Sequence, residues 1–164
     1  MPATVAFLLL VLTVLAGCGS GSGKPATAPE KSVPRAKETT PVQVTLNVFL
    51  VKGETVTRVS RTAETYTDLV QQALARMLAG PTEAEKAEGL STAIPAGTRL
   101  LSYKVSEGKA TGDFSKEMLN FGGGSSRVQA ILGQITDTIN GNDPAVKSVA
   151  VTVEGQPADE VLQP

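Results

Sequence analysis

The chain has 164 residues, with 15 basic and 16 acidic side chains, no histidine, no tryptophan, one cysteine and 4% aromatic residues. A net charge of −1 leaves no clustered cationic surplus for a nucleic-acid backbone. The missing histidine removes the usual general base near neutral pH and the commonest metal ligand, and a single cysteine excludes an intramolecular disulfide. No nucleic-acid partner, metal or cofactor is therefore expected, and the core has to be built from Val, Leu, Ile and Ala.

Val5–Ala16 is apolar except for Thr13. As a helix it would rise about 18 Å, short of a bilayer core of roughly 30 Å. Residues 1–17 therefore read as a signal peptide. The run closes in Leu15-Ala16-Gly17-Cys18, which resembles the bacterial lipobox. Small residues before the cysteine fit a peptidase cleft, so cleavage is expected between Gly17 and Cys18. The Cys18 thiol then forms a thioether to a diacylglycerol, with chains such as palmitate, although the preceding MPAT carries no Lys or Arg. More than one acyl chain holds a protein stably on a bilayer. The expected location is the outer face of the cytoplasmic membrane.

Residues 18–41 are the lipidated N-terminus and a tether. Gly, Ser, Pro, Lys, Thr and Glu dominate it, and Val33 is its one large aliphatic residue. Such a composition cannot bury enough apolar surface to offset its ordering entropy. Lys24, Lys31, Arg35 and Lys37 face dilution by Glu30 and Glu38, so solubility explains them better than headgroup binding.

The folded part is expected over 42–157. VQVTLNVFLV alternates, with Val42, Val44, Leu46, Val48 and Leu50 on one face of a strand. Lys52-Gly53-Glu54 turns the chain, and TVTRVSRT is a weaker second strand. A helix follows, with Tyr66, Leu69, Val70, Ala73, Leu74, Met77 and Leu78 on one stripe, and with Thr65 and Asp68 as its expected capping pair. Gly80 suits a left-handed stop and Pro81 bars continuation.

Thr82 and Glu85 begin a short polar helix that Gly89 ends, and Leu90 and Ile94 tuck onto the core. Pro95-Ala96-Gly97 turns into the strand TRLLSYKV, and Glu107-Gly108 makes a tight turn to KATGDF. Ser115 is the expected cap of a helical turn. A glycine loop, FGGGSSR, ends in a serine cap before a second long helix bearing Val128, Ile131, Leu132, Ile135 and Ile139. Gly141-Asn142-Asp143-Pro144 stops that helix, and VKSVAVTVEG is the last strand. Residues 158–164 read as a tail. The order β-(β)-α-β-β-α-β implies an α/β two-layer sandwich, two amphipathic helices over a mixed sheet.

Candidates for chemistry are few. Ser115-Lys116 invites a serine–lysine dyad, but adjacent residues diverge on a helix and Ser115 fits a cap better. Asp113 and Glu117 are carboxylates at a strand end and in a first helical turn, where structure suffices to explain them. Gly122-Gly123-Gly124 precedes a helix without phosphate-loop spacing. No enzyme is expected.

The motifs resemble the GerMN domain family, named for a bacterial sporulation and spore-germination lipoprotein. Leu78, Gly80, Pro81 and Thr82 match its L-x-G-P-T helix end. Gly89, Leu90, Thr92, Ile94, Pro95, Gly97 and Thr98 match its GL-x-(S/T)-x-IP-x-GT segment, and Asp113 and Ser115 its D-x-S strand end. The resemblance implies a non-catalytic domain outside the cytoplasmic membrane, similar in fold to ring-building motifs, with this chain carrying one copy where some members carry two. It also implies that Gly80, Pro81, Thr82, Gly89, Pro95, Gly97, Asp113 and Ser115 serve structure. The expected role is a binding or assembly module in sporulation or germination, with self-assembly or an envelope protein as partner. The alternative is a glycan- or small-ligand-binding module, peptidoglycan being the candidate ligand, that assists a wall hydrolase. A polar cleft would favour the alternative; an exposed apolar sheet edge would favour assembly.

Overall fold

The computed structural model describes residues 42–65 and 68–163. Strands β1 (Val42–Lys52) and β2 (Thr55–Thr65) pair antiparallel along their whole length. The second strand, weak in pattern, is thus as long as the first. Leu46, Val48 and Leu50 are fully buried on one face of β1, as the alternation predicts.

Helix α1 (Leu69–Leu78) packs on that face through Val70, Ala73, Leu74 and Met77. Its cap is Asp68 rather than Thr65. Asp68 accepts from the amides of Val70 (2.8 Å) and Gln71 (3.3 Å), while Thr65 is consumed as the last paired residue of β2. Tyr66 lies outside the described residues. Helix α2 (Glu83–Ala87) is followed by a two-residue strand, β3 (Leu90–Ser91), which pairs with Val51 and Lys52 on the flank of β1 opposite β2.

Strands β4 (Leu100–Ser106) and β5 (Lys109–Phe114) form a hairpin. Its turn residues, Glu107 and Gly108, have φ of 52° and 78°, the paired positive values of a type I′ turn. A 3-10 turn (Lys116–Leu119) leads to α3 (Ser125–Asn142), which crosses over to β6 (Ser148–Val153), parallel to β5. A crossover of this length is what parallel pairing demands. The serine cap expected for α3 is not used: Gly124 holds the N-cap position, and Ser125 and Ser126 are already helical. The helix also runs through Gly141 and Asn142 before ending at Asp143.

The α/β class and its two amphipathic helices are present. The strands divide into two sheets, β2-β1-β3 antiparallel and β4-β5-β6-β7 mixed, the last strand being β7 (Gln156–Pro157). Of residues 158–164, expected as a tail, 158–162 fold back: α4 (Ala158–Val161) buries Ala158, and Leu162 beyond it is 2% exposed. Two apolar residues there suffice to dock one helical turn on the core.

Where β1 has no strand on its β3 flank, α3 takes a strand's place. Asn142 Oδ1 accepts from the Asn47 amide (3.0 Å) and its Nδ2 donates to the Asn47 carbonyl (2.7 Å). Thr138 Oγ1 accepts from the Phe49 amide (3.2 Å), and Gln134 Nε2 donates to the Phe49 carbonyl (3.0 Å). These three residues recur every fourth position, so they form one polar row beside the buried stripe of Ile131, Ile135 and Ile139. The row satisfies backbone groups that burial would otherwise leave costly.

Candidate functional site

The residues of the first motif meet around a side chain that the sequence reading passed over, Arg61 of β2. Its Nη1 donates to the Arg76 carbonyl (2.9 Å) and its Nη2 to the Gly80 carbonyl (3.0 Å), which ties off the C-terminal end of α1. Its Nε and Nη2 also form a fork on Glu85, at 3.0 and 2.5 Å. Glu85 in turn accepts from the Thr82 amide (2.6 Å), while Thr82 Oγ1 accepts from the Glu85 amide (3.3 Å), a complete capping box. Gly80, at φ 76°, permits the reversal, and Pro81 separates the two helices.

Hydrogen bonding from Arg61 holds the Glu85 carboxyl below its ordinary value of 4.5, against the opposing effect of burial. The native pKa is lower than the unfolded one, so the pair stabilises the fold above about pH 4.5. That contribution fades as pH falls through the native value. Glu85→Gln should therefore cost about 1–2 kcal/mol at pH 7, in line with hydrogen bonds to charged groups. Once pH has fallen through the native value the protonated glutamate resembles glutamine, so the urea midpoints of the two proteins should converge as the pH is lowered. A gap that stays constant with pH would refute the role of the charge.

The second motif fastens the chain between α2 and β4. Gly89 and Gly97 sit at φ 83° and 84°, which only glycine adopts freely. Leu90 and Ile94 are buried, as expected, and so is Pro95. Thr98 Oγ1 donates to the Pro95 carbonyl (2.7 Å), closing the prolyl turn. The Ala93 amide donates to the buried Gln134 side chain (2.7 Å).

The third motif also turns inward. Asp113 Oδ1 accepts from Thr152 Oγ1 (2.6 Å) and from the Gly155 amide (2.8 Å), clasping the β6–β7 turn to β5. Ser115 does not cap with its side chain: its hydroxyl accepts from the Arg99 amide (3.0 Å) because the residue is buried against the start of β4.

These bonds occupy Asp113 and Ser115, two of the groups that the sequence offered for chemistry. Ser115 Oγ faces Arg99 rather than Lys116. Glu117 is held below its ordinary carboxyl value, first by the Ser115 hydroxyl and then by its own amide, with Arg99 and Lys116 adding to this. That is the wrong direction for a general acid at neutral pH. Tyr103, on β4, has its phenol pushed up to about 12 by burial and by Asp68 and Asp143, so it stays protonated. No group of three His, Cys, Asp or Glu residues able to hold a metal occurs among the described residues. The glycine loop 122–124 carries no bonded side chain at the α3 cap.

Two surface features remain. One is the outer edge of β4, where Leu101 is 49% and Val105 47% exposed. The other is an open groove of about 550 Å³ at the start of α3, lined by Glu54, Ser91, Thr92, Ser126, Arg127 and Gln129 among others. Gly17 and Cys18 lie outside the described residues, and no described helix is long and apolar enough to cross a membrane.

The molecule is thus a small α/β domain whose polar motif residues Thr82, Thr98, Asp113 and Ser115 are engaged in internal hydrogen bonds. Residues 29–159 match the model of the family described as "Sporulation and spore germination" (Germane), and the chain belongs to that family. Among solved structures it is similar to the tandem GerMN domains of the sporulation protein GerM from Bacillus subtilis, at 21% identity and a TM-score of 0.54. That match covers 71% of this chain and 41% of the tandem chain, so this chain spans about two-fifths of the latter. It is also similar to the first GerMN domain alone, at 23% identity and TM-score 0.53, covering 70% of this chain and 85% of the other. At such identities the likeness is one of fold. A search of the curated proteins found no match.

Proposed function

We propose that the chain is a lipoprotein anchored through Cys18 to the outer face of the cytoplasmic membrane. Its domain acts, without catalysis, as a binding and assembly module of the cell envelope in sporulation or germination. The observation that carries the module reading is the division of labour on the domain. Arg61, Thr82, Glu85, Asp113 and Ser115 all bond inward, while exposed apolar side chains gather on an unpaired sheet edge. The lipobox-like LAGC and the polar tether after it support the anchor.

In-cell cross-linking followed by mass spectrometry tests the module. Cross-links from one surface of the domain to itself or to other envelope proteins are expected; capture of wall fragments with no protein would overturn it. The anchor has its own test. Cys18→Ala should leave a precursor that takes up no labelled fatty acid and keeps its first seventeen residues. A variant that still matures and partitions into detergent would refute the lipid on Cys18.

A second reading has one observation in its favour, the open groove at the start of α3, whose wall mixes Arg127 and Ser126 with Val51 and Val56. A groove of that size suits a sugar-sized ligand. Saturable binding of a muropeptide, lost in Arg127→Ala, would be its signature.

A further inference from the structure

Two residues in the wall of the α3 groove carry full and opposite charges. Glu54 comes from the turn between β1 and β2, and Arg127 from the first turn of α3. Both are exposed, and no ion pair or hydrogen bond joins them. Among the described residues neither has another partner, and the Ser126 hydroxyl and Gln129 amide in the same wall are equally free. The two charge-bearing elements are held together at the groove. An added Cβ on Gly133 would stand 3.3 Å from Cγ2 of Val56, so the glycine lets α3 close on β2. The glycine loop before α3 also finds a use here. A Cβ on Gly123, at φ 121°, would stand 3.4 Å from Cβ and Cδ of Arg127, so that glycine leaves room for the arginine stem.

We infer that this groove binds a short peptide by its two ends, with the carboxylate on Arg127 and a free amine on Glu54. A guanidinium takes a carboxylate in a bidentate fork, and the N-terminus of α3, which has no side-chain cap, adds the same sign of charge. A purely anionic ligand would meet Glu54, and a purely cationic one would meet Arg127. A neutral sugar would use neither charge, and no aromatic side chain lines the groove for a sugar ring to stack on. The apolar part of the lining is small and aliphatic, from Val51, Val56, Ala93 and Ala130, which suits small peptide side chains. A groove of about 550 Å³ lies within the range that encloses a small ligand.

This inference rests on the second reading of the groove and deepens it, assigning recognition to the peptide of a wall fragment rather than to its sugar. The test titrates the full chain, in detergent, with trialanine in a calorimeter. Two blocked ligands run beside it: N-acetyl-trialanine, which lacks the ammonium, and trialanine amide, which lacks the carboxylate. Trialanine should bind saturably, and either blocked form about tenfold or more weaker, the scale of a hydrogen bond to a charged group.

Two variants mirror the blocked ligands. Arg127→Gln should weaken trialanine about tenfold or more yet leave trialanine amide unchanged, because that ligand already lacks the partner. Glu54→Gln should do the same with the acetylated form. Both residues are exposed, so circular dichroism and melting temperature should not change. Binding that ignores either block, or variants that weaken all three ligands alike, would overturn the inference. If a neutral N-acetylglucosamine disaccharide saturates the groove and trialanine does not, the peptide is wrong and the sugar reading survives. If neither saturates up to about 10 mM, both fall.

Discussion

Phe114→Ala should cost about 3–5 kcal/mol, the usual range for a fully buried phenylalanine. Phe114 is the largest of the wholly buried side chains and the last residue of β5, beside Leu100 on one side and Val153 on the other. Its ring lies over Gly112, where an added Cβ would stand 3.1 Å from Cε2, so Gly112 has no side chain to refill the space. Met118 and Ile135 share the same core cluster, which carries the loss from one sheet to the other through α3. The melting temperature should fall by about 10–20 °C for a domain of this size. Differential scanning calorimetry measures it directly. A drop of only a degree or two would mean that the two sheets do not share one cooperative core.

The sequence made visible what depends on period and on local chemistry. The alternation of β1 was legible because one face is buried and the other is not. The Thr82–Glu85 box was legible because both partners lie three residues apart. The β4–β5 turn was legible from Glu107-Gly108, and the same dipeptide at 154–155 makes the β6–β7 turn, with φ of 48° and 82°. What stayed hidden are the contacts that close over long separations. Arg61 lies 24 residues from Glu85, and nothing around it distinguishes it from Arg58. The start of α1 was misplaced because Thr65 and Asp68 are equally good caps, and only the pairing of β2 decides between them.

The split into two sheets was hidden too, because β3 is two residues long and carries no periodicity. The edge of β4 needed the strand order before Leu101 and Val105 could be told from core residues. One long-range feature did leave a trace. Gln134, Thr138 and Asn142 recur at helical spacing along the flank of an apolar stripe, where a surface helix would vary its polar residues freely.

That trace has a measurable consequence, since Gln134 is fully buried. Gln134→Leu keeps the volume and gains hydrophobicity, so burial alone predicts a more stable protein. The hydrogen bonds predict the reverse. The Ala93 amide loses its acceptor at 2.7 Å in a buried bond, and the Phe49 carbonyl loses its donor at 3.0 Å in a partly buried one. Each orphaned group costs about 1–3 kcal/mol, against about 1 kcal/mol regained from apolar transfer. The net expectation is a loss of about 1–5 kcal/mol. Hydrogen exchange separates this from a general weakening. The Ala93 amide should lose protection far beyond the fall in global stability, while amides in the β5–β6 pairing track the global value. An unchanged or raised stability would show that the helix side chains are not what closes the β1 flank. A freed Phe49 edge would also offer β1 to other strands, so aggregation on heating should rise in the same variant.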